Sequence, residues 1–338
     1  MNNLDVLRAV AVLSVFFHHV NHVYGFNIPF FGPYGGIFGI QLFFLLSGFL
    51  IIKSAVKHSL KIYFLHRVFR IYPAYILVFI VIGIFTGVLT WEKVFNNPWG
   101  LISNILSLQH LFPKNLIVYD SLHVSWTLTV ELIWYVLAPL SIGLLSKRLH
   151  LTLASTILIS VAWVYFSANG VFDFLYADQF KEIDLSLTHS RTLFLINAFP
   201  AQLCYFVFGA CIYYKQEQLM KLNPYFLSAV FIIFVLFFPY GKSPEFNPSF
   251  ITGIGLGALF LLALVLPTLN FKPLKIMADI SYSFYLIHLT VISIAHDYFG
   301  LNSNWYIIPV FVISVSGSIM LYWFIEKPMM RLARKVSR

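Results

Sequence analysis

The sequence predicts an all-α, polytopic integral membrane protein of about ten transmembrane helices, and three observations carry that expectation. Hydrophobic residues fill 59% of the 338 positions and charged residues only 10%, with a mean hydropathy of +0.83. A soluble domain carries roughly 25% charged residues, so this chain has too little polar material to cover a water-facing surface. Its apolar residues also gather in runs of about 20, the length that crosses a hydrocarbon core. Finally, Lys and Arg collect in alternate loops. Disorder, a collagen-like repeat, a disulfide scaffold and a soluble two-domain enzyme are excluded together.

The runs fall at 4–24, 36–53, 71–90, 122–145, 150–170, 191–214, 223–240, 249–269, 276–297 and 305–325. The apolar segment 100–112 is too short to span and reads as an interfacial or re-entrant piece on the outer side. With the N-terminus inside, the outer face keeps only Lys93, Lys114, Lys181, Arg191 and Lys242, leaving 17 of the 22 basic residues inside. Most of the acid (Glu92, Asp120, Asp173, Asp178, Glu182, Asp184, Glu245) falls outside. That asymmetry predicts an N-in, C-in protein of a bacterial-type plasma (inner) membrane. The formal charge of +9 therefore reflects loop sorting, and no nucleic-acid partner is expected.

Residues 1–338 read as one transmembrane domain without a separate soluble domain, since no repeat or Pro/Gly/Ser linker divides them. Pro73, Pro200, Pro267 and Pro328 mark expected helix ends. The first run opens on Asp5 and Arg8 and lacks a small-residue cleavage site, unlike a signal peptide. Cys204 and Cys211 share a helical face about 10 Å apart, too far to bridge, and read as buried thiols.

A charge near the bilayer centre costs about 2.5–3.5 kcal/mol even on the lenient insertion scale, so polar groups inside spans need a partner or a task. They are His18, His19 and His22 in the first run, Glu131 in the fourth, and Asp279, His288 and Asp297 in the ninth. A rise of 1.5 Å per residue puts His19 about 22 Å above the inner boundary and Glu131 about 13 Å below the outer one. The two heights differ by about 5 Å across a core about 30 Å thick, so the groups could meet. An imidazole held by a carboxylate is a general-base arrangement. The competing reading is a carboxylate and a histidine that merely satisfy each other, or nearby hydroxyls, within the core.

Arg8 lies eleven residues before His19 on nearly the same face, at the inner edge. Arg67 and Arg70, at i and i+3 in the inner loop before Tyr72-Pro73, would point the same way and suit phosphate, although anchoring topology is an equal reading. His18 and His22 share a face at i, i+4 but lack a third ligand, so no metal is expected and both read as interfacial or supporting groups. Gly48 beside Ser47 allows close helix approach. Ser281, Tyr282 and Ser283 read as interhelical hydrogen-bonding groups near His288, itself equally a satisfied core residue or a site residue.

The blocks LDVLRAVAVLSVFFHH, GIQLFFLLSGFLI, RVFRIYPAY, SWTLTVELIWYVLAPL, ISYSFYLIHLTVI and EKP, in that order between residues 4 and 328, resemble the membrane acyltransferase-3 family of O-acyltransferases. The resemblance implies a ten-span inner-membrane enzyme that moves an acyl group, usually acetyl from acetyl-CoA, to a hydroxyl of an extracytoplasmic carbohydrate. Its first-span motif, a basic residue and a histidine with ten residues between, falls on Arg8 and His19. Its R-x-x-R falls on Arg67 and Arg70, and the acid of its fourth-span block on Glu131. Gln41 stands where many members carry an acid, and Leu132 and Ile133 where many carry a polar pair. The appended esterase-like domain of some members is lacking.

The expected mechanism has the CoA phosphates on Arg67, Arg70 and Arg8, and His19, oriented by Glu131, acting as base or as acyl carrier. Trp126, His22, Tyr282 and His288 are the acceptor-side or supporting candidates, and the acceptor is a carbohydrate or glycolipid. Two rivals remain: a proton-coupled carrier or flippase of an acyl- or sugar-lipid, against which no inverted repeat is detected, and an acyltransferase whose acceptor is a lipid or small molecule.

Overall fold

In a computed structural model the chain is described over residues 3–26, 28–237 and 249–337. Lys242, Glu245, Arg338 and the end of the 223–240 run lie outside the described residues. The order is α1 (Asn3–Tyr24), α2 (Phe31–Lys57), α3 (Leu60–Phe85), three short helices α4 (Trp91–Asn96), α5 (Pro98–Ile105) and α6 (Pro113–Tyr119), then α7 (Trp126–Lys147) and α8 (Leu149–Ala168). Short α9 (Ala177–Glu182) and α10 (Leu187–Arg191) lead through a π turn, Thr192–Ile196, into α11 (Phe199–Leu219). There follow α12 (Pro224–Phe237), α13 (Ser249–Val265), α14 (Lys272–Asp279), α15 (Ser281–Ser293), α16 (Ile307–Leu321) and α17 (Lys327–Val336). Among the described residues there is no strand.

Among the described residues seven helical stretches are long and apolar enough to cross a membrane: α1, α2, α3, α7, α8, Leu187–Leu219 and Asn304–Val336. The expected ninth span is broken: α14 and the helix after it bend by 79°, and they make an eighth span only if taken as one. The remaining two runs are shorter apolar helices, Pro224–Leu236 and Thr252–Val265.

The break corrects two expected intramembrane acids. Asp279 ends α14 before the bend, half-buried and paired to Lys275 at 2.6 Å, and Asp297 sits exposed in a terminal π turn beside His296 at 2.7 Å. Likewise α3 starts at Leu60, with Pro73 inside it, so Arg67 and Arg70 are helical and not in a loop. Proline removes one backbone donor there, a loss that α3 tolerates within the bundle.

The segment 100–112 turns back into the bundle without crossing it. Tyr75 of α3 donates to the Asn104 carbonyl (2.7 Å) and Thr129 of α7 to the Ser107 carbonyl (2.7 Å), which satisfies irregular backbone as a re-entrant piece requires. Behind it, α2 crosses α11, where Phe44 meets Phe206 with ring centroids 4.7 Å apart and Trp134 of α7 stacks on the same ring at 5.3 Å. Gly48 and Gly209 sit at that crossing: a Cβ on Gly48 would strike the Phe206 carbonyl, and one on Gly209 the Leu45 carbonyl. Small residues thus set the position of α2, whose other face builds the site.

Candidate functional site

Two cavities lie along α1, α2, α7 and α15. The larger, about 300 Å³, is lined by Arg8, Arg67, Arg70, Glu131, Ser47, Tyr135, Ser281 and Tyr282, with an apolar wall that includes Phe43, Phe44 and Leu128. The smaller, about 190 Å³, is lined by His18, His19, Gln41, His123, Trp126, Asn197 and Gln202. Ile40 and Tyr285 belong to both and form the partition between them. Tyr285 is anchored there, its hydroxyl 2.8 Å from Thr127 Oγ1 and donating to the Val124 carbonyl at 3.2 Å.

The larger cavity gathers the residues that the sequence scattered over three helices. Arg8 donates to Asp5 at 3.2 Å, and Arg70 faces Glu326 at 3.7 Å. Glu326 is fully buried, and its other oxygen accepts from Ser283 at 2.9 Å. Arg67 has no carboxylate partner among the described residues: its Nη2 reaches Ser54 Oγ at 3.4 Å, while its buried Nε bonds nothing. The guanidinium lies 5.9 and 5.8 Å from the Tyr63 and Tyr135 ring centroids. A planar fork steadied by aromatic rings with an unspent donor is poised for an oxyanion.

Glu131 and His19 are not brought together. Glu131 Oε1 accepts from Ser47 Oγ and Tyr135 OH, both at 2.8 Å, and Glu131 makes no ion pair with any histidine within 4 Å among the described residues. The ring beside His19 is that of His288, centroids 5.3 Å apart, with His18 at 5.4 Å. His288 is wholly buried; its Nδ1–H donates to the Phe284 and Tyr285 carbonyls, both at 3.0 Å, which leaves Nε2 as an acceptor without a partner. His18 Nδ1 lies 2.9 Å from the Gly32 carbonyl. Trp126 lines the smaller cavity and Tyr282 the larger one, where it donates to the Ile71 carbonyl at 3.0 Å. His22 is exposed and lines neither.

Sequence reasoning did not single out Glu326, Ser47 as a carboxylate partner, Tyr135, Gln202 or His123. Glu326 had a signal, an acid ending an otherwise apolar run. His123 stands at the cavity rim with φ +57°, a left-handed conformation unusual for a side-chain-bearing residue. Asp120 holds it, accepting from the His123 backbone N–H at 2.8 Å and facing Nδ1 at 3.4 Å. That hydrogen bond raises the His123 pKa above its ordinary 6.5, against the opposing pull of burial. The pair therefore supports the rim fully below the ordinary value and loses its hold as pH rises through the raised one. Asp120→Asn is expected to return the His123 titration toward or below 6.5, read from its imidazole resonance by NMR.

Among the described residues no group of three or more His, Cys, Asp or Glu could hold a metal ion.

Comparison with known proteins gives a family for the chain. A family model described as an acyltransferase domain, of the acyltransferase-3 type, matches residues 1–323. O-acetyltransferase OatA of Staphylococcus aureus (strain NCTC 8325 / PS 47) is 26% identical over 353 residues, covering 96% of this chain and 56% of the relative. A putative O-acetyltransferase, SAS0844, of Staphylococcus aureus (strain MSSA476) is 26% identical over 367 residues, covering 97% and 57%. The chain thus spans about half the length of the curated relatives it matches. No solved structure matches. With a family model covering nearly all of a helical chain built to cross a membrane, the chain belongs to the acyltransferase-3 family.

Proposed function

We propose that the chain is a multi-pass plasma-membrane O-acyltransferase that moves an acyl group, acetyl first among candidates, from acyl-CoA on the cytoplasmic side to a hydroxyl of an extracytoplasmic carbohydrate or glycolipid. The observation that carries this is the pair of cavities, one with three arginines and one with His19, meeting at Ile40 and Tyr285. The arginine chamber suits the phosphates and pantetheine arm of CoA, and the positive loop charge supports a cytoplasmic location for that side and both termini. The histidine chamber then opens outward, toward the acceptor.

In the reaction, a ring nitrogen of His19 takes the acceptor hydroxyl proton while that oxygen attacks the thioester carbonyl. The C–S bond breaks as the tetrahedral intermediate collapses, and the His19 imidazolium returns the proton to the departing CoA thiolate. One O–H and one C–S bond are exchanged for one C–O and one S–H. His288, with its acceptor nitrogen turned away from the carbonyls that fix its tautomer, takes the supporting place first expected of Glu131. Glu131 instead fixes the Ser47 and Tyr135 hydroxyls on the donor side, and Glu326 positions Arg70.

The decisive experiment supplies purified protein with labelled acetyl-CoA and a surface-glycan extract as acceptor. An acyltransferase consumes the thioester and releases CoA thiol, whereas a carrier leaves it intact, which would return the chain to the transporter reading. In the same assay Arg67→Ala is expected to weaken acetyl-CoA binding about 10- to 100-fold, the roughly 1.5–3 kcal/mol of hydrogen bonds to a charged group. Affinity equal to wild type would make Arg67 a topology anchor only.

A further inference from the structure

Gln41 and Gln202 enter the histidine chamber from α2 and α11 and are 9% and 8% exposed, yet Oε1 of each has no hydrogen-bond partner among the described residues. A buried amide oxygen left alone costs free energy, and such orphans occur where a ligand completes the set. Two of them from different helices face one cavity.

The other linings narrow the ligand. Asn197 adds a third amide beside Gln202, at the junction between the π turn and α11. Trp126 offers an indole whose neighbour on the protein side is His110, ring centroids 5.7 Å apart. Among the described residues no Lys, Arg, Asp or Glu lines the chamber, and His123, the lining histidine whose pKa is raised, has its charge met by Asp120 at 3.4 Å. Amides both donate and accept, as hydroxyls do, and an indole face matches the apolar face of a sugar ring. An acidic or phosphorylated unit would want a guanidinium or ammonium there, and an aliphatic chain would want no amides.

We propose that Gln41, Gln202 and Asn197, with Trp126, form the acceptor subsite, and that it takes an uncharged, hydroxyl-bearing sugar ring and presents one hydroxyl to His19. The inference rests on the acyltransferase reading above and adds the acceptor class and the residues that select it. The amides position the acceptor and do not take part in bond making.

The test separates recognition from packing. Gln41→Met and Gln202→Met keep side-chain volume and remove an orphaned polar group. If the amides served the fold, the variants would be less stable; if they serve a ligand, stability holds or rises while transfer falls. In the organism that carries the chain, base-labile ester acetate of the surface glycan is measured in a deletion strain complemented with wild type, each variant and the pair. Purified proteins are compared for acetyl-CoA affinity and thermal midpoint.

The expected result is a loss of ester acetate of at least threefold for each variant and tenfold for the pair, with donor affinity within twofold of wild type and an equal or higher midpoint. NMR should place the wild-type acetate on a neutral sugar. Ester acetate within twofold of wild type, a lowered midpoint in both single variants, or acetate carried only by an acidic, phosphorylated or sugar-free component overturns the proposal. A deletion that leaves ester acetate unchanged overturns the glycan-acyltransferase reading itself, and this inference with it.

Discussion

His19→Ala is expected to lower acyl transfer by about 10³-fold, within the 10²–10⁴ that a positioned general base supplies. The side chain is placed for that effect. It lines the histidine chamber next to the partition residues Ile40 and Tyr285, across which the arginine chamber begins. It makes no hydrogen bond to another described residue, so its ring nitrogens are not consumed in holding the fold. Removing it opens space into an existing cavity, and the variant should insert, stay monodisperse in detergent and bind acetyl-CoA like wild type. The readout is CoA thiol release together with labelled acetyl on the acceptor. His22→Ala, one helical turn further along α1 but exposed and outside both cavities, serves as control and should change little. Transfer by His19→Ala within threefold of wild type would reduce His19 to a wall residue and leave the reaction without its base.

Much of the site was legible because charge inside an apolar helix is expensive and therefore conspicuous. Glu131 was found that way, whereas Arg8, Arg67 and Arg70 were found from their spacing at the inner edge, and the four share a chamber. The failure of the His19–Glu131 pairing is equally physical. Helical rise fixes the height of a residue but not the direction it faces once neighbours choose the helix rotation. Glu131 faces the arginine chamber, where Ser47 from α2 and Tyr135 one turn along its own helix take its oxygen. The break before Ser281 carried no signal, since MADISYSF contains neither proline nor glycine; the contacts of α14 with α1, including Lys275 to Asp5 at 3.3 Å, hold it. Glu326 was quoted only as part of the EKP block, because an acid ending an apolar run does not by itself show Arg70 beside it.

Gly209→Val is expected to have the largest effect on the molecule as a whole. At the crossing of α2 and α11 the two backbones touch through glycines from both sides, Gly48 against the Phe206 carbonyl and Gly209 against the Leu45 carbonyl. The obstacle to any added carbon is main chain on a neighbouring helix, which cannot rotate aside as a side chain does. A branched side chain therefore has to push the helices apart over the length of the contact, and the rings between them move too: Phe44 on Phe206, and Phe206 on Trp134. Overpacking of a well-filled interior costs about 1–3 kcal/mol where neighbours can yield, and a clash against backbone belongs at or above the upper end. In a membrane, helix association rests on such close packing because lipid supplies no hydrophobic drive between helices. The thermal midpoint of Gly209→Val in detergent should fall by many degrees and the yield of monodisperse protein with it, with Gly209→Ala intermediate. Gly143→Ala on α7, where an added Cβ meets nothing within 4 Å, should leave both unchanged. A Gly209→Val protein as stable as wild type would mean that α2 and α11 do not approach this closely, and the placement of Ile40, Gln41 and Ser47 along α2 would have to be drawn again.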